Sequence, residues 1–349
     1  MNLKIGKKKI SLDSKKSFVI AEIAQAHDGS LGYAHSFIDI AKSCNVDAIK
    51  FQIHSADDES TLDEKFRIKM SSEYNSRYDY WKKMEFKLDQ WFELKKHCNE
   101  NSIEFMVSVF SENAINIAKK LGLNNVKISS GDFFNHSLLD NACASFDNLI
   151  ISTGMSVENE IISMARKLKK KKNKLAFLQC ISKYPCPLDS LCLDSIKIFK
   201  DRLNLPIGLS DHSGTIFPAV YAIAHKANLI EVHLCMDKNQ YGPDTSSSLT
   251  PDELLLVTNF RDSFSIFEKK KNRDSVIKSI SHKELFTRSI ALKFDKEKGY
   301  ILKKSDLTLK KPGTGIPFDE MKFLIGKKLV KNVSKKKLLR YDDLKKNGE

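Results

Sequence analysis

One unit repeats along most of this chain: a short run of β-branched and other apolar residues, a polar break, then a stretch whose apolar residues recur every three or four positions. The runs lie at 17–23, 46–52, 103–108, 125–130, 148–153, 175–180, 205–210 and 229–234. Amphipathic stretches follow at 33–43, 88–99, 112–121, 157–170, 191–202, 217–226 and 251–269, the last opened by Thr250 as N-cap with Pro251 at the first helical position. Strands that alternate with helices are parallel and joined by crossovers. Eight such units in about 270 residues is the count of a closed (β/α)8 TIM barrel, so an α/β barrel is the predicted fold, spanning 1–267.

The pattern dissolves into Lys, Ser and Asn at 268–284, which reads as a linker. A second unit at 285–349 holds short β-like runs and a weak internal repeat, in which Gly299-Tyr300-Ile301-Leu302-Lys303-Lys304-Ser305-Asp306-Leu307 is echoed by Lys336-Lys337-Leu338-Leu339-Arg340-Tyr341-Asp342-Asp343-Leu344. This predicts a small pseudo-symmetric β domain, too small to bury much surface alone and therefore expected to dock on something.

Charge narrows the partners. The formal net charge is +14, and only eight of the 58 basic residues are Arg. Lysine spread over every predicted helix is a solvated surface, whereas a nucleic-acid groove favours Arg and aromatics on one face. The run from Lys167 to Lys174 ends a predicted helix, where cations suit the dipole. No stretch approaches the ~18–20 uncharged apolar residues of a membrane span. The amino terminus lacks the apolar core of a secretory signal, so a cytoplasmic location is expected. Seven Cys without a Cys-x-x-Cys pair read as reduced thiols.

In a barrel of this kind chemistry collects at the C-terminal ends of the strands. There this chain places Glu22, Lys50 and Gln52, Ser108, Lys127 with Ser130 and Asp132, Ser152, Ser182 with Tyr184, Ser210 with His212, and Glu231 with His233. Lys50 and Lys127 interrupt apolar strands, and a lysine there is costly unless an anion meets it. Two lysines and several hydroxyls suit a small polyanion such as a phosphorylated carboxylate. His212 and His233, on neighbouring strands, are expected to converge on one divalent cation, whose identity two ligands do not fix. Glu22 is the carboxylate best placed to take or hold a proton.

At these residues the chain resembles the sialic acid synthase family, the phosphoenolpyruvate-condensing nonulosonate synthases. Ala21-Glu22-Ile23 with His27 and Gly29, Lys50-Phe51-Gln52, Lys127 to Gly131, Ser152 to Met155, Tyr184 to Pro187, Gly208 to His212 and Gly242 to Asp244 match its ordered blocks. The tail, with Lys311-Pro312-Gly313-Thr314-Gly315, resembles the antifreeze-like (SAF, β-clip) domain of these enzymes. The resemblance implies a phosphoenolpyruvate site at Lys50, Ser108, Lys127, Ser130, Ser152, Ser182 and Ser210. It implies a divalent metal on His212 and His233, Mn²⁺ first with Mg²⁺ or Co²⁺ as alternatives. Gln52, Asp132, Tyr184, Asp244 and Lys311 match sugar-side positions, and Glu22, Lys50, Lys127 and the two histidines would be catalytic. The reaction implied is condensation of phosphoenolpyruvate with an open-chain N-acylated hexosamine, N-acetylmannosamine first and a 2,4-diacetamido-trideoxyhexose second. A homodimer with the tail over the partner's barrel is implied as well.

Four positions depart from the pattern: Lys311 for the usual Arg, Ala26 for Asn, Val232 for a cation, and Asp132 for Glu. They bear on the identity of the amino sugar rather than on the reaction. Two rivals stand beside this reading. A degenerate sugar-binding barrel would not need Glu22 together with both lysines and both histidines. Functional polyanion binding through the +14 charge would show as a salt-dependent affinity for nucleic acid.

Overall fold

The computed structural model describes residues 3–68, 73–269, 271–279 and 282–345. The chain divides into two compact units, 1–269 and 270–349.

In the first unit, eight parallel strands run Phe18–Glu22, Ala48–Ile53, Glu104–Val109, Asn125–Ile128, Asn148–Ser152, Lys174–Cys180, Ile207–Asp211 and Leu229–Leu234. Each pairs with the next, and the eighth pairs with both the seventh and the first, so the sheet closes into a barrel. The strands lack an alternating pattern because both their faces are covered: helices pack outside and side chains fill the inside. Ile20, Ala48, Met106, Ile150, Ala176, Leu178 and Leu229 form the inner apolar layer. Val19, Ile49, Phe51, Val107, Leu149, Ile151 and Phe177 face the helices.

Strand positions follow the sequence expectation to within two residues at either end. One helix differs in an instructive way, and the last opens as its sequence indicates. The one expected at 191–202 starts at Ser195, because the 3-10 turn Leu188–Ser190 and Cys192 at φ +50° intervene. The last, Pro251–Phe267, opens with a capping box in which Thr250 and Glu253 exchange hydrogen bonds and Pro251 takes the first turn. Its Arg261, 1% exposed, donates to Asp47 and to the Asn45 carbonyl, tying this helix to the loop before the second strand.

Sequence periodicity gave no warning of an N-terminal hairpin, Leu3–Ile5 paired with Lys8–Ile10. Gly6 at φ +54° makes its turn, a backbone region that a side chain would strain. Leu3, Ile5 and Ile10 join the inner layer and close the barrel at the N-terminal ends of its strands. Helix His136–Ser145 and the short helices Ala56–Glu59 and Arg77–Met84 were likewise not anticipated.

The second unit has its own core of Ile290, Leu292, Leu302, Leu307, Ile316, Leu324, Leu329, Val333, Leu339 and Leu344. Strands Ser289–Leu292 and Leu307–Lys310 pair antiparallel. The internal repeat is a real structural repeat. Asp306 and Asp343 each accept the backbone N–H three residues earlier, at 2.8 and 2.7 Å, and each pairs with a lysine, Lys296 and Lys331, at 2.9 and 2.8 Å. The stretch read as a linker carries helix Arg273–Lys278 and the start of helix Lys283–Phe286, all of whose residues are exposed. The short local order comes from caps such as Asn272, which accepts the Ser275 N–H.

Candidate functional site

The C-terminal ends of the barrel strands surround a cavity of about 730 Å³. Every candidate named above from the barrel lines it: Glu22, Lys50, Gln52, Ser108, Lys127, Ser130, Asp132, Ser152, Ser182, Tyr184, Ser210, His212, His233 and Asp244. Lys311 belongs to the second unit, where its ammonium lies 5.5 Å from the Phe286 ring centroid. His27, part of the opening motif, does not reach the cavity. It is 2% exposed, packed 4.8 Å from Phe86, and accepts the Gly29 N–H.

The floor is a network of four buried charges. Lys50 is ion-paired with Glu22, donates to Ser108 Oγ at 2.9 Å and lies 3.7 Å from Glu231. Lys127 donates to Glu231 at 2.5 Å, and Ser210 donates to the same oxygen at 3.0 Å. None of the four is more than 7% exposed. Burial alone would lower the Lys127 pKa, but Glu231 and Glu22 hold it above the ordinary value. The reciprocal holds for Glu231: burial pushes it up, yet Lys127 and Lys50 keep it below the usual carboxylate range. Carboxylates thus keep the Lys127 ammonium charged in a place that would otherwise discharge it. Glu231 was seen in the sequence as a polar residue of the eighth strand, but its part as the hub of this network was missed, since it depends on a partner 104 positions away.

Beside the lysines is a cradle of small groups. Gly154 donates its N–H to Ser130 Oγ at 3.0 Å, and a Cβ there would meet Ser182 Oγ, Cys180 Sγ and Ser130 Oγ at 2.4 to 2.9 Å. Only glycine admits that convergence of side chains. Ser152 Oγ is buried and has no hydrogen-bond partner among the described residues. Buried hydroxyls are nearly always satisfied, so this one asks for a ligand atom.

Across the cavity, His212 and His233 stand with ring centroids 5.2 Å apart. Burial and the neighbouring His233 pull His212 down to about 3, so it is a neutral imidazole. Its Nδ1 lies 3.1 Å from the Ile181 carbonyl, which fixes that nitrogen as the donor and leaves Nε2 as an acceptor, 3.0 Å from the Tyr184 hydroxyl. His233 Nδ1 is buried with no hydrogen-bond partner among the described residues. A neutral imidazole whose second nitrogen is held by a carbonyl, beside one with an unsatisfied nitrogen, fits a divalent cation. Among the described residues no third His, Cys, Asp or Glu completes a protein-only ligand set. A cation here would therefore keep positions for water or substrate.

Glu22 is aimed by its surroundings. Its Oε1 accepts from Gln52 Nε2 at 2.8 Å and from the Ala24 N–H at 3.1 Å. Gln52 Oε1 in turn accepts from Gln25 at 2.7 Å and faces His54 Nε2 at 2.9 Å. At the outer rim Arg67 is ion-paired with Asp244, donates to the Pro243 carbonyl and stacks 4.5 Å from the Tyr184 centroid. His54, Glu59, Arg67, Arg77 and Trp81 also line the cavity, and the sequence reading passed over them. For His54 a signal existed: strand period two places Lys50, Gln52 and His54 on one face. The others come from the connection after the second strand, where no periodicity points at anything.

A model of the NeuB family matches residues 37–272. An N,N'-diacetyllegionaminic acid synthase of Legionella pneumophila is 32% identical over 344 residues, which cover 95% of this chain and 96% of that protein. A human N-acetylneuraminate-9-phosphate synthase is 31% identical over 334 residues, covering 90% and 89%. The crystal structure of an N-acetylneuraminic acid synthetase from Leptospira borgpetersenii, in complex with citrate, superposes with a TM-score of 0.69 at 27% identity, covering 82% of this chain and 97% of that one.

Proposed function

This chain belongs to the NeuB family, an enzyme family of acid synthases, and on that premise we propose that it condenses phosphoenolpyruvate with the open-chain form of an N-acylated hexosamine. Carbon 3 of phosphoenolpyruvate joins the aldehyde carbon, water adds at carbon 2, and phosphate leaves with cleavage of its C–O bond, giving a nonulosonic acid. The observation that carries this reading is the pair of buried, carboxylate-paired lysines on the floor of a polar cavity that His212 and His233 also line.

In this reading Lys50 and Lys127 hold the phosphate and carboxylate of phosphoenolpyruvate, and Ser108, Ser130, Ser152, Ser182 and Ser210 complete its hydrogen bonds. Fixed donors in a dry site stabilise an anion without reorganisation. Glu22, pinned by three donors, holds or accepts the proton of the attacking water. His212 and His233 are the residues that would hold a divalent metal, Mn²⁺ first, with Mg²⁺ or Co²⁺ as alternatives. When bound, such an ion supplies Lewis-acid polarisation of the aldehyde oxygen. Tyr184, Gln52, Asp132 and Asp244 orient the sugar. Lys311 is proposed to meet the acyl group of a sugar held in a second copy's barrel, in a homodimer that light scattering would reveal.

N-acetylmannosamine is the first acceptor in this reading. A 2,4-diacetamido-trideoxyhexose is the second, favoured by the legionaminic acid synthase that is 32% identical over nearly the whole chain. The test is phosphate release from phosphoenolpyruvate with Mn²⁺ and each sugar, repeated after EDTA. Metal-dependent release with one sugar is expected. Binding of phosphoenolpyruvate without release from either would leave a barrel that only binds and would end this proposal.

A further inference from the structure

We infer that His54 is a positioning residue: as an imidazolium clamped to Glu59, it locks the Gln52 amide that aims Glu22. This rests on the synthase reading above for its consequence, and on hydrogen-bond inventory for its substance.

Gln52 donates through Nε2 to Glu22, an acceptor, and receives Gln25 Nε2–H on its Oε1. Flipping the amide would set its oxygen against the Glu22 carboxylate and its NH₂ against the Gln25 NH₂, so only one orientation satisfies all three residues. That orientation presents an oxygen to His54 Nε2 at 2.9 Å, and the ring must donate there. The other ring nitrogen, Nδ1, lies 2.8 Å from Glu59 Oε2. A carboxylate also accepts only, so Nδ1 must donate as well. A ring that donates from both nitrogens is the cation.

The surroundings suit that assignment. Glu59 supplies the countercharge, and its Oε1 is held by the Ser55 N–H at 2.8 Å. The imidazole is sandwiched between Trp81 and Phe110, with ring centroids at 4.2 and 4.5 Å, an arrangement that favours a flat cation. The His54 side chain is 7% exposed and that of Glu59 13%, so water does not replace these contacts cheaply. Four residues therefore run in line, Glu59 to His54 to Gln52 to Glu22. With His54 gone, Gln52 Oε1 loses one of its two donors and the amide is free to turn away from the carboxylate.

The test uses the full-length protein with ¹⁵N-labelled histidine, comparing wild type with His54→Gln, Glu59→Gln and the gentler Glu59→Asp. Long-range ¹H–¹⁵N spectra at neutral pH are expected to show a doubly protonated histidine that is absent in His54→Gln and altered in Glu59→Gln, distinct from any signal of the His35–His97 pair. Phosphate release is expected to lose about tenfold or more in kcat for His54→Gln and Glu59→Gln, while KM for phosphoenolpyruvate stays within about threefold. Glu59→Asp is expected to recover part of kcat, which a general packing defect would not do. A singly protonated His54, or a kcat within about twofold of wild type in His54→Gln, would overturn the inference. If wild type releases no phosphate with any acceptor, the synthase reading falls, and the two-proton signature alone still decides whether the clamp exists.

Discussion

Lys127 shows at the scale of one residue how the site balances stability against function. Its ammonium and the Glu231 carboxylate are buried together, and each makes the other's charge tolerable. Replacing only one partner leaves a bare charge in a dry place. We expect Lys127→Met to lower the unfolding free energy by about 3–5 kcal/mol in a urea titration, and Lys127→Met combined with Glu231→Gln to recover part of that loss. His27 gives a pH-dependent counterpart. Burial, and then the charge of His54, lower its pKa from 6.5 to about 4. Between those values the unfolded chain binds the proton and the folded chain does not, so stability rises with pH and is lost as pH falls through the window. The loss amounts to about 3 kcal/mol once pH is below the folded value. In His27→Asn, which retains an acceptor for the Gly29 N–H, the difference in unfolding free energy between pH 7 and pH 4.5 is expected to shrink by most of that contribution.

Among elements, the N-terminal hairpin most clearly does something that its length does not suggest. Two three-residue strands are not stable alone, and they persist because Leu3, Ile5 and Ile10 seal the bottom of the barrel. Ile5→Ala, at a position fully shielded from solvent, is expected to cost about 2–4 kcal/mol by chemical denaturation. It should leave the distant rim chemistry with its KM intact. The last barrel helix offers a milder contrast: Thr250→Ala removes one half of its capping box and is expected to cost about 1 kcal/mol. Hairpin and helix also differ in legibility. The helix announces itself by Thr250 and Pro251 in sequence, whereas the hairpin is too short to show a period and exists only through burial against distant strands.

For the whole molecule, the two units are joined by a segment whose described residues are exposed and rich in basic side chains, among them Lys269, Lys271, Arg273 and Lys278. Limited trypsin digestion of the native protein is expected to cut there before it cuts either core, and mass spectrometry of the first fragments would locate the nick. First cuts inside the barrel would show instead that the junction is protected. The high net charge has no counterpart in a basic groove at the site, where the two buried lysines are matched by two carboxylates.

The amino-acid sequence by itself determined the barrel and most of its rim. Strand and helix periods are local, the count of eight is enough for closure, and polar residues at strand ends such as Lys50, Lys127, His212 and His233 stand out against apolar runs. Their partnership was another matter. Which carboxylate holds which lysine, that Gly154 opens a cradle for three side chains, that His54 is gripped by Glu59 and roofed by Trp81, and that a hairpin plugs the floor were decided only by tertiary structure. Each of these is a contact between residues distant along the chain or from a connection without period. Its energy comes from burial and pairing that no local pattern encodes.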